Sequence, residues 1–241
     1  MANALAAVAQ SMQNDLHHMD TISQNMVNMA TPAFKRSIPV TKIFGAEMQS
    51  DTPTSISAGL TPMLSTVIDL SVGPVKQTGR PLDIAIAGEG YFELTSPEGP
   101  VYTRAGNFRL DGAGRLVSDN GFAVQGLSGD IILNGPGATI DHTGQVLQEG
   151  AVMGQIKIVQ IGSAKSLTKT GNGMLRPASG TVSVPSATSE LLIGHLEGSN
   201  VTPLREMIAM MQTTRHFEAT QKLYQGYDDM LRTAIQKLGE F

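Results

Sequence analysis

The chain has 241 residues, and its 21 acidic against 17 basic side chains leave a net charge of −4 and a pI near 5.7. There is no block of Lys or Arg, which argues against a nucleic-acid surface, and no run of eighteen apolar residues, which argues against a membrane span. Cysteine is absent, and with it disulfides, thiolate metal sites and cysteine nucleophiles.

Tryptophan is also absent and glycine is plentiful at 26 residues, a balance that suits short strands and turns better than a deep aromatic cleft. The length holds one large domain or two modest ones. Near the start, Ala4 to Ala9 is apolar, but no basic residue precedes it and Asp15 and His17 soon follow. No Sec-type signal peptide is expected from that pattern.

Leu5, Val8, Met12, Met19, Ile22, Met26 and Met29 recur at steps of three and four, with Asp15 as the one polar break. This spacing predicts a helix from about Asn3 to Met29, spanning roughly 40 Å and carrying one narrow apolar seam. Its Met content suits an adaptable interface. Pro32 should stop it, because the residue before a proline is pushed out of the α region. From about Pro39 to Gly73 the periodicity vanishes. Pro39, Pro53, Pro62 and Pro74, with the Ser/Thr-rich Ser50 to Ser57, describe an extended segment. Its isolated apolar residues are Ile43, Phe44, Met48, Leu60 and Met63.

From Val75 the pattern changes to strands. Leu82 to Ile86 alternates, Gly88-Glu89-Gly90 bends the chain, and Tyr91 to Leu94 follows. Val101 to Thr103, Asn107 to Leu110, Arg115 to Val117 and Phe122 to Val124 continue a meander. Asp111-Gly112-Ala113-Gly114-Arg115-Leu116-Val117 is echoed by Asp141-His142-Thr143-Gly144-Gln145-Val146-Leu147. Asp closes such a turn through the backbone and Gly takes its left-handed position, so two equivalent hairpins are expected, with Gly114 and Gly144 at positive φ. An Asp-rich calcium loop would need further carboxylates that are missing. Strands resume at Ile156 to Ile161 and at Gly180 to Val184.

A second helix is predicted from Asn200 to Pro203 onward, with Thr202 at the cap and Pro203 in the first turn. Met210, Phe217, Tyr224, Leu231 and Leu238 fall every seventh residue as far as about Leu238, with Tyr227 and Ala234 at neighbouring positions. That repeat marks a helix which buries a narrow seam against another helix. Gly226, inside it, should cost about 1 kcal/mol relative to Ala. Two such helices at opposite ends imply that the ends pair with each other or with copies of the chain.

No catalytic constellation is present. His17 and His18 are adjacent and diverge on a helix, so they do not chelate as an i, i+4 pair would. No P-loop, Rossmann, His-Glu-x-x-His or Gly-x-Ser-x-Gly pattern occurs. No catalytic, cofactor or metal residue is assigned.

Several segments together resemble the rod and hook family of axial proteins of the bacterial flagellum. Asn25-Met26-Val27-Asn28-Met29-Ala30-Thr31-Pro32-Ala33-Phe34-Lys35 is similar to the family's Asn-Leu-Ala-Asn…Thr-x-Gly-Phe-Lys box. Pro81 to Ile86, Gly88 to Phe92 and Tyr102-Thr103-Arg104-Ala105-Gly106-Asn107-Phe108 resemble its β-domain motifs. Leu196-Glu197-Gly198-Ser199-Asn200-Val201, Glu206-Met207 and Arg215-His216-Phe217-Glu218-Ala219 resemble its C-terminal marks. The resemblance covers nearly the whole chain. Ala33 stands where the family has Gly, and a Cβ resists positive φ there.

The resemblance implies an α+β fold: long N- and C-terminal helices forming a coiled-coil region, with a central, mostly antiparallel β-rich domain. The expected division is an N-terminal helix at 1–35, an extended linker at 36–74, a β-rich core at 75–190 and a C-terminal helix at 191–241. The implied role is a structural, self-assembling rod subunit in the basal body, closest to the proximal rod. It would carry torque and join the export apparatus to the distal rod and hook. Its implied partners are copies of itself, other axial proteins and the type III export apparatus, with export into the periplasmic rod without a cleaved signal. The expected assembly interface comprises the seam residues from Leu5 to Met29 and from Met210 to Leu238 named above. The alternatives are a distal-rod or hook-type protein, a monomeric β-rich binding module, or a wall-active enzyme, for which no acidic pair stands out.

Overall fold

The computed structural model describes residues 2–43, 62–135, 137–161, 167–171, 173–177, 183–185 and 190–239. Phe44, Met48, Leu60, the Ser50 to Ser57 stretch and the start of the strand expected at Gly180 lie outside them. So do the side chains of Ile43, Met63, Ala234 and Leu238. The chain divides into two compact units: Met1–Val27 with Ser37–Val67 and Thr202–Phe241, and Asn28–Arg36 with Ile68–Val201. No helix among the described residues is long and apolar enough to cross a membrane.

The first unit is built on two long helices. α1 runs over Ala2–Val27, and a 3-10 turn at Asn28–Ala30 follows it, where the Thr31 N–H donates to the Asn28 carbonyl at 3.1 Å. The helical path thus ends two residues before Pro32, as the proline requires. α2 runs over Pro203–Gly239. The Thr202 carbonyl accepts the Glu206 N–H at 3.2 Å, and Pro203 occupies the turn where a missing N–H costs nothing. Gly226 sits mid-helix with open space where a Cβ would stand, so no packed neighbour requires glycine there. β1 (Ser37–Ile43) and β2 (Pro62–Ile68) pair as a two-stranded sheet within the stretch whose sequence lacks periodicity.

The second unit is β-rich, and each strand pairing registered in it is antiparallel. Its strands are β3 (Val75–Gln77), β4 (Ile84–Ala87), β5 (Tyr91–Ser96), β6 (Gly99–Thr103), β7 (Arg109–Leu110), β8 (Leu116–Val117), β9 (Ala123–Gly126) and β10 (Gly129–Asp130). They continue as β11 (Thr139–Ile140), β12 (Gln145–Gln148), β13 (Ala151–Gln155), β14 (Ile158–Ile161), β15 (Leu167–Lys169), β16 (Met174–Pro177), β17 (Ser183–Pro185), β18 (Glu190–Ile193) and β19 (His195–Glu197). The largest sheet follows the order β15-β16-β6-β5-β9-β8-β7, with β14 also on β5. A three-stranded sheet follows β11-β12-β13, and two-stranded ladders join β18 to β4 and β19 to β3.

The alternating runs of the sequence became strands because each lays one row of apolar side chains into a shared core. Ile84, Ile86, Phe92, Leu94, Val101, Phe108, Leu116, Val124, Val146 and Leu191 are buried together. Phe92 meets Phe108 edge to face with centroids 5.2 Å apart, a geometry that aromatic quadrupoles favour. Asn107 to Leu110 is shorter than expected: only Arg109 and Leu110 form a ladder, while Asn107 makes a lone bridge to Asp83.

The two Asp-x-x-Gly hairpins are equivalent in detail. The Asp111 Oδ1 accepts the N–H groups of Ala113 and Arg115, each at 2.8 Å, and the Asp141 Oδ1 accepts those of Thr143 and Gln145, each at 2.9 Å. At Asp141 desolvation is the largest single effect and pushes the carboxyl up, but the bonds together outweigh it. At Asp111 the Arg115 N–H leads, and both carboxyls lie below the usual Asp range. Gly114 and Gly144 have φ of 77° and 82°, and their carbonyls accept from Leu133 and Ile156. A Cβ on Gly114 would stand 2.1 Å from the Leu133 carbonyl oxygen. Gly114→Val is therefore expected to cost more than about 1 kcal/mol, and Gly144→Val a similar amount from positive φ alone. Chemical denaturation followed by far-UV dichroism measures both, and wild-type midpoints would contradict the turn argument.

Candidate assembly site

In the first unit α1 and α2 pack side by side, and three polar contacts define their direction. The Asn25 amide donates to the Glu206 Oε2 at 3.2 Å, the Thr214 Oγ1 reaches the Met19 Sδ at 3.8 Å, and the His216 Nδ1 lies 2.7 Å from the Asp15 Oδ2. Rising numbers on α2 meet falling numbers on α1, so the helices are antiparallel. Of the expected interface residues, Ile22 is buried, while Leu5, Val8, Met12, Met19, Met26, Met210, Phe217 and Leu231 are half-buried. Tyr224 is exposed, and so is Met29, which lies past the end of α1 in the 3-10 turn.

The seven-residue reading of α2 found only alternate members of its inward row. Glu206, Thr213 and Thr220, three or four residues from the apolar positions, are buried between them. The two threonines enter an apolar seam because each hydroxyl donates to a carbonyl four residues back, at 3.0 Å to Ala209 and 2.9 Å to His216. Asp15, the one polar break in the α1 stripe, is only 9% exposed. Asn25 is also buried, and besides Glu206 it clasps Ser37: its amide donates to the Ser37 carbonyl and its own carbonyl accepts the Ser37 N–H, both at 2.9 Å. The signal for these residues was their spacing, not their polarity.

Pairing leaves a second apolar row on α2 uncovered. Leu204, Met207, Ile208 and Met211 follow the i, i+3, i+4, i+7 pattern of one helix face and are 44 to 67% exposed. On α1, Leu16 and Val27 are exposed as well.

The second unit holds a buried charge cluster. Glu197, 1% exposed, lies 2.6 Å from the Lys35 Nζ through Oε1 and 2.6 Å from the Arg104 Nε through Oε2. Its Oε1 also accepts the Gly73 N–H at 3.0 Å, and Lys35 donates to the Ser71 carbonyl at 2.7 Å. Arg104 donates to the carbonyls of Ile86 and Gly88 and lies 5.8 Å from the centre of the Tyr91 ring. Burial holds Lys35 below the usual lysine range despite the opposing pull of Glu197. Asn200 is held nearby: its carbonyl accepts the Arg36 N–H at 2.7 Å and its amide donates to Asp69 and Ser71. Ala33 takes a φ of 54° here, and its N–H donates to the Glu197 carbonyl at 2.9 Å. The left-handed backbone costs an L residue about 1–2 kcal/mol; burying the methyl recovers part of it.

Next to the cluster, Lys169 stands 4.0 Å from the centre of the Phe34 ring and donates to the Lys35 carbonyl. Burial lowers it from 10.5 to about 8. A lysine depressed in the folded state binds fewer protons there than in the unfolded chain between those two values, so stability should rise as pH climbs from about 8 to 10.5. Urea midpoints across that window should increase for the wild type and flatten for Lys169→Met. A slope unchanged by the substitution would refute the assignment.

Among the described residues no three His, Asp or Glu side chains gather to hold a metal ion. The comparisons with known proteins give the chain its place. Residues 85–195 match the "Flagellar hook protein FlgE/F/G D1 domain" and residues 193–237 match the "Flagellar basal body rod FlgEFG protein C-terminal". The flagellar basal-body rod protein FlgG of Bacillus subtilis (strain 168) is 31% identical, over 98% of this chain and 98% of its own length. The chain belongs to the flagellar basal-body rod protein family. FlgF of Caulobacter vibrioides is 27% identical over 100% of this chain and 99% of its own, and FlgG of the same organism is 30% identical over 97% and 98%.

In rod-family terms the cluster has a simple meaning. Lys35 and Arg104 stand far apart in the chain, and folding brings both to the one buried Glu197 carboxylate. The family is one of structural proteins, and this chain is a structural protein rather than an enzyme.

Proposed function

We propose that the chain builds the proximal part of the flagellar rod by stacking on copies of itself and on other axial proteins through its terminal helices. That it is a structural subunit of the basal-body rod follows from its family; the finer placement rests on its own residues. The Leu196-Glu197-Gly198-Ser199-Asn200-Val201 form and the Arg215-His216-Phe217-Glu218 run support the proximal position. In this reading the ends, 1–35 and 191–241, form a coiled-coil layer, and the stretch 36–74 links it to the β-rich 75–190. The subunit leaves through the type III export apparatus without a cleaved signal and reaches the periplasmic rod. Contacts that do not close into a ring produce a helical rod that carries torque to the distal rod and hook.

One observation carries the proposal: pairing of α1 and α2 buries or half-buries Met12, Met19, Ile22 and Met26 on one helix and Met210, Thr213 and Phe217 on the other, yet leaves Leu204, Met207, Ile208 and Met211 open. An exposed apolar stripe of this kind marks a surface for association. Met207→Glu with Met211→Glu tests it. Both side chains are exposed, so the isolated chain should keep its helicity and change in stability by less than about 0.5 kcal/mol. Incorporation into basal bodies, and with it swimming, should be lost. Motile cells carrying the double variant would rule out this face as the assembly surface.

A further inference from the structure

The dipeptide Asn-Gly is chemically labile, because glycine has no side chain to shield its backbone nitrogen from the carboxamide before it. It occurs at Asn120-Gly121, Asn134-Gly135 and Asn172-Gly173, and Asn172 lies outside the described residues. The sequence ranks the other two alike, and the fold does not. At the first, the Gly121 N–H donates to the Ser118 carbonyl at 2.9 Å inside the turn that joins β8 to β9. The Asn120 amide also rests on the Met174 Sδ at 4.0 Å, so both reacting groups are held. Asn134-Gly135 lies between β10 and β11, and Asn134 is exposed. Among the described residues neither its carboxamide nor the Gly135 N–H has a hydrogen-bonding partner. Gln148, itself buried, grips the groups on either side. Its Oε1 accepts the Asn134 N–H at 2.9 Å, and its amide donates to the Gly135 carbonyl at 3.1 Å. That clasp leaves out both the carboxamide and the nitrogen that would attack it.

We infer that Asn134 is a site of spontaneous deamidation in the folded chain and that Asn120 is protected from it. The step needs only water. Hydroxide takes the Gly135 N–H proton, and the nitrogen attacks the Asn134 Cγ. A new N–Cγ bond closes a succinimide ring while the Cγ–Nδ2 bond breaks, and the side-chain nitrogen leaves as ammonia with a proton from water. Water then opens the ring to aspartate or isoaspartate. An N–H already bonded to a carbonyl is harder to deprotonate, because that bond stabilises its neutral form. Gly121 is in that position and Gly135 is not. The product carries a new carboxylate in the groove that Asn134 and Gly135 line together with Asp111, where it meets like charge. The inference concerns the β-rich unit alone and does not depend on where in the rod the subunit sits.

The test ages the full chain in mildly alkaline buffer made with heavy-oxygen water and maps its peptides by tandem mass spectrometry. Only conversions that precede digestion then carry the heavy oxygen. In the folded chain Asn134 should convert about fivefold faster than Asn120, the factor that one net hydrogen bond gives in a rate. In guanidinium chloride the 118–121 turn is open, and the two identical dipeptides should converge in rate. The inference is overturned if the folded chain converts Asn120 as fast as Asn134, or converts neither while the denatured chain converts both. It is equally overturned if the denatured chain keeps the folded ratio, because flanking residues rather than the fold would then set it.

Discussion

Replacing Glu197 with Ala should destabilise the second unit by about 3–5 kcal/mol, the range found when one partner of a buried ion pair is removed. The carboxylate serves two cations at 2.6 Å, so its loss leaves both Lys35 and Arg104 without it in a site closed to water. Lys35 is already disfavoured by burial. Against a total stability of roughly 5–15 kcal/mol, the variant should unfold near room temperature or fail to accumulate. Lys35→Met should be milder, because Glu197 keeps Arg104 and the Gly73 N–H. Replacing all three by apolar residues, Lys35→Met, Arg104→Met and Glu197→Leu, should recover much of the loss, since the desolvation cost disappears together with the attraction. Urea unfolding followed by far-UV dichroism orders the three variants. A loss below 1 kcal/mol for Glu197→Ala would show that the site admits water once the carboxylate is gone.

Phe217→Asp should break the helix pair and leave the β-rich unit folded. Phe217 lies one residue beyond His216, so the antiparallel register sets it at the level of Asp15 and Met12. Losing a half-buried ring and placing a second carboxylate near Asp15 should cost about 2–4 kcal/mol. Helicity should fall while the strands persist, and cells relying on the variant should be non-motile although the protein is still made. Normal swimming would show that this seam is dispensable for assembly. Collapse of the β-rich unit would show that α2 is part of that unit's own core.

The order of elements was legible in the chain because its cause is local. A 3.6-residue period, a proline after Thr31, a proline after Thr202 and alternation through Tyr91 to Leu94 each act within a few residues, and the structure follows them. The same holds for the Asp-x-x-Gly turns, where Asp and Gly act on their own backbone. Other elements gave no such signal. β3 and β19 are three-residue strands defined only by pairing with each other across the chain, and β18 is specified by Ile84 to Ala87 far upstream. The seam between the two helices was half legible, because apolar spacing reveals the row but not which polar residues complete it. Asp15 is an interruption in sequence and a partner of His216 in the folded helix pair. Lys35, Arg104 and Glu197 likewise appear as separate motif letters, and only the folded chain brings the two cations to the one carboxylate. Charge burial depends on what surrounds a group in three dimensions, and that information is not carried by the spacing of its neighbours along the chain.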